Sequence, residues 1–216
     1  MPANSSPYAA FAFDVLISSL NKQKTPTHNL RFYKDLFIRK FSYSDDINHD
    51  SYPLFVTWNI IEGNLSNYQD DEHELRGCIG CFSNLPLEKG LIEYSKISAF
   101  EDPRFEPIEK RELNRLLVSI TLLKDFEVGL NPLDWKLGEN GIKISFVDRG
   151  SKKSATFLPD VPVEQDWDKE TTLNYLVQKA GVSKYKVNYK KFDIKLTKYK
   201  GDKSSMSYKD YLNLFV

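Results

Sequence analysis

The stretch Leu75-Arg76-Gly77-Cys78-Ile79-Gly80-Cys81-Phe82 decides how the rest of this chain is interpreted. It is rich in apolar and small residues, follows an acidic segment and precedes turn residues, a pattern that predicts a β-strand. Because side chains alternate along a strand, Arg76, Cys78 and Gly80 share one face and the residues between them share the other. The pattern therefore predicts a cationic and a thiol side chain as neighbours.

This predicted neighbourhood of Arg76 and Cys78 has two interpretations. In the first, the guanidinium favours the thiolate, lowers the pKa of the cysteine and raises its reactivity, while Gly80 leaves room for a ligand against the backbone. In the second, Cys78 is a small buried hydrophobe, Arg76 pairs with a carboxylate, and the glycines Gly77 and Gly80 permit tight packing or a bulge. Spacing alone favours the second interpretation.

Cys78 and Cys81 form a C-x-x-C pair, a pattern found in redox dithiols and zinc sites. Residues three apart on a strand point to opposite faces, and the sequence has no second cysteine pair to complete a tetrahedral site. The histidines His28, His49 and His73 lie in polar connections without metal-ligand spacing. We therefore predict no metal and no cofactor.

The segments around this strand mix helix and strand patterns irregularly. Strands are predicted at 54–58, 75–82, 116–123, 142–147, 154–158 and 192–199. Helices are predicted at 8–20 and 30–41, between the turn at Pro86 and the stop at Asp102-Pro103, and from Asp168 to Gly181. This order indicates an α+β protein and not a regular βαβ repeat.

Composition restricts the class of protein. The chain has 216 residues, with 41% hydrophobic and 28% charged residues, and 30 Lys plus Arg balance 30 Asp plus Glu. It is therefore typical of folded proteins, and no overall charge attracts it to nucleic acid or an anionic membrane.

The apolar run 116–123 has about half the length of a membrane span, so we expect no membrane insertion. Two cysteines and no visible secretory signal lead us to expect a cytoplasmic or nuclear protein.

The strand motif and a series of later motifs together resemble the AMMECR family. The motif is Leu-Arg-Gly-Cys-Ile-Gly, followed by a small residue and Phe. The later motifs that match, in order, are SAFEDPRF at 98–105, EL at 112–113, LGENGI at 137–142, LPDV at 158–161, QDWD at 165–168 and KAG at 179–181. The resemblance covers roughly residues 8–200. The segment 22–51 matches poorly, and Cys81 stands where the family usually has threonine.

The resemblance implies a fold and a place for the site. It implies one α+β domain over 1–216, built from two unequal lobes with a mostly antiparallel sheet, the larger lobe containing both chain ends. The segment 22–51 is then a polar surface insertion. The strand motif is expected to face a cleft between the lobes, where an unknown small molecule or protein partner binds. The resemblance implies no defined reaction.

Asp102 and Arg104 flank Pro103 at the predicted end of a helix. A fixed turn there could direct a carboxylate and a guanidinium toward Arg76 and Cys78. An internal Asp-Arg ion pair that only holds the turn explains the same residues equally well. We therefore take Asp102 and Arg104, with Gly77 and Gly80, as candidate binding residues.

Two functional hypotheses involve this motif. In the first, the protein is an enzyme in which Cys78 is the nucleophile and Arg76 or Arg104 holds an anionic substrate. In the second, the same surface is a binding or adaptor module that recognises a small anion or a peptide without converting it. Since all three histidines lie in segments that match the family poorly, a Cys-His dyad of protease type is not expected.

A third hypothesis is nucleic-acid binding through residues 179–203, where lysines alternate with Tyr185, Tyr189, Phe192 and Tyr199. Stacking aromatics among basic residues are typical of single-strand binding. However, apolar and polar residues alternate over 192–197, which predicts a half-buried strand with a solvated lysine face. This hypothesis is the least supported of the three.

Overall fold

A computed structural model of the chain describes residues 5–44, 47, 50–61, 73–183 and 187–216. Its α-helices are α1 (Pro7–Leu20), α2 (Leu30–Phe41), α3 (Leu87–Phe100), α4 (Asp160–Glu164), α5 (Lys169–Lys179) and α6 (Tyr208–Asn213). Its strands are β1 (Ser51–Ile61), β2 (His73–Pro86), β3 (Leu116–Val128), β4 (Gly141–Asp148), β5 (Ser151–Phe157) and β6 (Lys195–Ser207). Short 3-10 helices lie at Lys110–Arg115 and Tyr189–Lys191.

The predicted α+β class is confirmed. The six strands form a sheet in the order β2-β1-β3-β6-β4-β5. The pairings of β1 with β2 and β3, and of β4 with β5 and β6, are antiparallel. Strand β2 therefore stands at one end of this order, and among the described strands it pairs with β1 alone.

The chain divides into two compact units, each with its own hydrophobic core. Unit 1 comprises Met1–Leu122 and Asp202–Val216, and unit 2 comprises Leu123–Gly201. Unit 1 is thus assembled from both ends of the chain, whereas unit 2 is one continuous segment.

Helix α1 is at the centre of unit 1 because its sequence is apolar on every side. Its start is fixed by Ser6, whose hydroxyl accepts the Ala9 backbone N–H, and by Pro7 in the first turn. Asp14 is nonetheless buried in this helix, and its carboxylate accepts the backbone N–H groups of Thr27 and His28 at 2.8 Å each. Asp14, which interrupts the apolar sequence of α1, thus binds the backbone of the following loop to the helix.

The segment 22–51 is only partly the surface insertion that we predicted. Its helix α2 buries Leu30, Tyr33 and Phe37 in the core of unit 1. The Tyr33 hydroxyl donates a hydrogen bond to the Asp14 carboxylate at 2.9 Å. Helix α2 is therefore part of the fold, because an apolar stripe at helical spacing needs a core to cover it. The loop before it, 21–29, is largely exposed and fits the prediction.

In unit 1, one face of strand β1 is apolar and the other is more polar. Leu54, Val56 and Trp58 are fully buried in the core, and the Trp58 indole N–H donates to the Ser95 carbonyl of α3 at 3.2 Å. Thr57 lies between them on the opposite face. This second face carries the candidate site.

Unit 2 is held together by β4 and α5. Strand β4 alternates buried Ile142, Ile144 and Phe146 with exposed residues, and α5 contributes Leu173 and Leu176 to the same core. Asp168 caps α5 as predicted, accepting the Thr171 backbone N–H at 2.7 Å. None of the described helices is long and apolar enough to cross a membrane.

Several strand boundaries differ from the prediction, among them those of β6 and β2. Strand β6 begins at Lys195 and runs to Ser207, well beyond the predicted 192–199, because its polar second half has no alternating apolar pattern to indicate a strand. Strand β2 includes His73 and Glu74, which we assigned to an acidic connection over 62–74. Residues 62–72 of that connection lie outside the described residues.

Candidate functional site

Cys78 lies in β2 directly opposite Thr57 of β1. The Thr57 hydroxyl donates a hydrogen bond to the Cys78 sulfur at 3.1 Å. Burial raises the pKa of the Cys78 thiol, and the Thr57 hydrogen bond and the positive charge of Arg104 lower it by less. Cys78 is therefore a protonated thiol at neutral pH, held in place by a neighbouring hydroxyl.

The turn after α3 brings Asp102 and Arg104 to Cys78. One oxygen of the Asp102 carboxylate accepts the Cys78 backbone N–H at 2.9 Å and Arg104 Nη2 at 2.7 Å. The other accepts the backbone N–H and Nε of Arg104 at 3.1 Å and 2.9 Å. Hydrogen bonding to Arg104 holds the pKa of this carboxyl, whose side chain is 2% exposed, well below its usual range.

Asp102 and Arg104 together occupy the open edge of β2. While Asp102 accepts the N–H of Cys78, Arg104 Nη2 donates to the Cys78 carbonyl at 3.1 Å. A neighbouring strand would satisfy the same two backbone groups in the same way. The ion pair thus completes the hydrogen bonding of an edge strand, and we call Thr57, Cys78, Asp102 and Arg104 the Cys78 site.

Arg76 does not share the Cys78 site, contrary to the first of our two interpretations. The pairing between β1 and β2 shifts at this point, since Trp58 pairs with Gly77 and Asn59 with Leu75, so Arg76 is the extra residue of a bulge. Its guanidinium forms an ion pair with Glu112, Nε to Oε1, at 2.7 Å.

The guanidinium of Arg76 is otherwise used within the fold. It donates to the carbonyls of Glu106 at 2.7 Å and Pro107 at 3.3 Å, and its side chain is 14% exposed. Burial works against the ionised form of Glu112, but the hydrogen bond from Arg76 leaves the pKa of that carboxyl lowered. Arg76 therefore fixes the 106–112 segment and is not placed to activate Cys78 or to hold a substrate.

The two glycines of the motif serve packing and not ligand access. A side chain at Gly77 would place its Cβ 2.1 Å from the Ser98 carbonyl oxygen of α3. A Cβ at Gly80 would lie 2.3 Å from the Leu54 carbonyl oxygen and 2.4 Å from the Phe55 ring. Both are close approaches that only glycine allows. The space that we expected Gly80 to leave for a ligand is filled by Phe55.

Cys81 has different surroundings from Cys78, as strand alternation predicts. It pairs with Leu54 on the core-facing register of β1, and its thiol donates to the Ser83 carbonyl at 3.4 Å. Both cysteines are free. In the described part of the chain, no group of three or more His, Cys, Asp or Glu side chains is arranged to hold a metal ion.

A row of hydroxyl groups beside Cys78 escaped the sequence analysis. Thr57 pairs with Ser119 of β3, and the Ser119 hydroxyl forms a hydrogen bond with that of Ser205 in β6 at 2.7 Å. The three hydroxyls lie on three strands, and with Cys78 of β2 the row crosses four. The polar position of Thr57 between Val56 and Trp58 was a usable signal, but the sequence gives no register to connect it with the other strands.

Several residues of the lysine-rich stretch 179–203 are engaged within the fold. Lys190 pairs with Glu170 at 3.0 Å, and both Tyr189 and Tyr199 are buried and unable to stack on a base. Residues 184–186, which carry further lysines and a tyrosine of this hypothesis, lie outside the described residues. The predicted alternation of buried and solvated side chains over 192–197 is confirmed.

Comparison with solved structures supports the fold. A crystal structure of an uncharacterised protein from Pyrococcus horikoshii matches with a TM-score of 0.59 and 23% identity, covering 92% of this chain and 91% of that one. At this identity the likeness concerns the fold alone.

Sequence comparison gives relatives of similar length. An uncharacterised protein of Saccharomyces cerevisiae is 39% identical over 236 residues, covering 97% of this chain and 89% of its own. An uncharacterised protein of Arabidopsis thaliana is 35% identical, covering 95% of this chain and 86% of its own. The profile of the AMMECR1 family matches residues 9–204. Because this match spans most of the sequence, the chain belongs to the AMMECR1 family, as its motifs predicted.

Proposed function

We propose that the Cys78 site binds the anionic group of a small molecule or of a peptide without converting it chemically. The observation that carries this proposal is the Arg104 guanidinium, which is fixed on one side and open on the other. Nε and Nη2 are held by the buried Asp102 and by the Cys78 carbonyl, whereas Nη1 has no hydrogen bond within the described part of the chain. The Arg104 side chain is 52% exposed.

A guanidinium held in this way is already oriented before a ligand arrives. Holding the side chain in advance reduces the rotamer entropy that binding would otherwise cost. The planar fork of arginine suits carboxylate and phosphate oxygens. Phe105 supports the group as well, with its ring centre 5.4 Å from the Arg104 guanidinium carbon.

The surroundings of Arg104 favour an anion over a cation. Asp102 and Arg104 cancel in charge, and the exposed Lys203 adds a positive charge close enough to favour ionisation of Cys78. The Cys78 thiol adds an uncharged S–H donor that a carboxylate or phosphate can accept from, while the Thr57 hydroxyl donates to the Cys78 sulfur.

The same geometry weighs against a cysteine enzyme. A nucleophilic cysteine is normally activated by a base or by a depressed pKa, and burial has the opposite effect on Cys78. His28 contacts Asp14 and stacks on Phe32, away from the site. His73 is five residues from Cys78 along β2, about 16 Å in an extended strand. His49 lies outside the described residues.

Anion binding is tested by thermal unfolding of the full chain with phosphate, acetate and citrate at constant ionic strength. We expect the unfolding midpoint to rise with at least one of these anions in the wild-type protein and in Arg31→Gln, an exposed arginine of α2. Arg104→Gln should abolish the rise. An equal rise in all three proteins, or none in the wild type, would refute an Arg104 site.

Covalent chemistry at Cys78 remains a second candidate, because the Thr57 hydrogen bond to sulfur favours the thiolate. The two candidates differ in the pH dependence of alkylation of Cys78, measured by intact mass in a Cys81→Ser background. Binding without chemistry predicts slow labelling with a midpoint above about 8.5, the value of a free thiol. Rapid labelling with a midpoint well below that value, lost in Arg104→Gln, would favour the enzyme.

A further inference from the structure

Unit 2 contains a cavity that is separate from the Cys78 site and has no assigned role. Its volume is about 460 Å³, within the range of roughly 300–1,000 Å³ that ligand sites occupy. The cavity is bounded by the second half of β3, the first half of β6, the 129–140 connection and the start of α5. The described lining includes four lysines and four carboxylates, so its formal charge is zero.

Two of these lysines each have one carboxylate partner. Lys200 of β6 pairs with Asp125 of β3 at 3.0 Å. Lys136 pairs with Glu139 at 3.2 Å. These four charges satisfy one another and leave two lysines and two carboxylates to consider.

Lys198 has two carboxylate partners, one more than it needs. It lies 3.4 Å from Asp134 and 3.6 Å from Glu127, and its side chain is 21% exposed. Asp134 is fixed further by the backbone N–H of Leu130, and this hydrogen bond and the nearby lysines lower the pKa of its carboxyl. Glu127 has only the longer contact to Lys198, and its side chain is 67% exposed. Glu127 is therefore the surplus anion of the cavity.

Lys169 is the corresponding surplus cation. It has no carboxylate within ion-pair distance in the described part of the chain. Its ammonium donates to the Leu133 carbonyl at 3.3 Å and lies 5.7 Å from the ring centre of Trp135. Trp135 is buried and forms part of the wall. The Lys169 ammonium thus lies beside an aromatic ring, and it can donate further hydrogen bonds.

We propose that this cavity binds a small zwitterionic ligand, with its carboxylate at Lys169 and its ammonium at Glu127. One surplus charge of each sign in a neutral cavity is complementary to a ligand that carries both. A ligand with one charge would satisfy only one of them and would leave the other without a partner. The Trp135 surface accepts the apolar part of such a ligand.

The test uses alanyl-alanine and its two blocked forms, N-acetylated and C-amidated, titrated into the full chain by calorimetry. We expect the unblocked dipeptide to bind, and each block to weaken binding about tenfold, which corresponds to about 1.4 kcal/mol. The variant Lys152→Gln, at an exposed position of β5, is the control and should bind like the wild type.

The variants Lys169→Gln and Glu127→Gln identify which end of the ligand each residue holds. Lys169→Gln should weaken the unblocked dipeptide and remove the effect of amidation, while acetylation still weakens binding. Glu127→Gln should show the reverse. No binding of the unblocked dipeptide at millimolar concentration, equal binding of all three peptides, or unchanged affinity in both variants would overturn the proposal. Arg104→Gln should leave this binding intact, so failure here is distinct from failure at the Cys78 site.

Discussion

Replacement of Asp102 by asparagine removes the charge that closes the edge of β2. The carboxylate accepts four hydrogen bonds, two at each oxygen, from the backbone of Cys78 and from Arg104. An asparagine side chain keeps one acceptor oxygen, and its NH₂ group then faces two donors. The Cys78 N–H loses its partner in a buried place, which costs about 1–3 kcal/mol. Arg104 is half exposed and turns to water, so its loss adds about 1 kcal/mol or less.

The expected loss in free energy of unfolding for Asp102→Asn is therefore about 1–4 kcal/mol at neutral pH. Urea unfolding followed by circular dichroism measures it, with Asp193→Asn, an exposed aspartate, as the matched control. We expect the control to change stability by less than about 0.5 kcal/mol. A loss in Asp102→Asn no larger than that of the control would refute the assigned role of the carboxylate.

The pH dependence gives a second check on the same residue. Arg104 holds the pKa of Asp102 below its value of about 3.9 in an unfolded chain, so the unfolded state binds the proton more readily. The stabilisation that ionised Asp102 gives to the folded state is complete above about pH 4, and it is lost as the pH falls toward the pKa of Asp102 in the folded protein. The difference between wild type and Asp102→Asn should thus narrow by about 1 kcal/mol between pH 5 and pH 3. A constant difference would contradict this account.

Two further substitutions test the packing around the motif. Gly77→Ala should destabilise the protein by about 2–4 kcal/mol, because its Cβ would overlap the Ser98 carbonyl oxygen, whereas Gly150→Ala, with open space but a φ of +79°, should cost about 1 kcal/mol in urea unfolding. Equal losses would show that α3 yields to the new methyl group. Arg76→Met should lower the unfolding midpoint, because it leaves Glu112 without its ion-pair partner. The rise in the midpoint on addition of anions should be the same in this variant as in the wild type. Loss of that rise would show that Arg76 takes part in anion binding.

Most helices and strands could be predicted from the sequence, because the apolar residues within each recur with the period of a helix or of a strand. Helix α1 and strand β4 show their burial directly in their residues. The second half of β6 could not be predicted, since Gly201 to Ser205 are small or polar and are ordered by pairing with residues far away in the sequence.

The site was predicted less completely, for reasons of geometry. The motif 98–105 led us to Asp102 and Arg104 beside Cys78, and the structure brings all three together. Arg76 was misplaced because alternation fails at a bulge, and a bulge depends on the register with β1. Thr57 was missed because only strand pairing shows which residue of one strand faces Cys78 of another.

The division of unit 1 between the two chain ends has a consequence for synthesis on the ribosome. The hydroxyls of Ser6 and Ser204 lie 2.6 Å apart although 198 positions separate them. Residues 202–216 emerge after all of unit 2, so unit 1 lacks the end of β6 and all of α6 until that segment has been made. Unit 2 is continuous and can condense first, while the exposed apolar surface of the nascent N-terminal part awaits its final segment. Deletion of residues 202–216 should therefore destabilise unit 1 more than unit 2, although most of unit 1 is synthesised before unit 2.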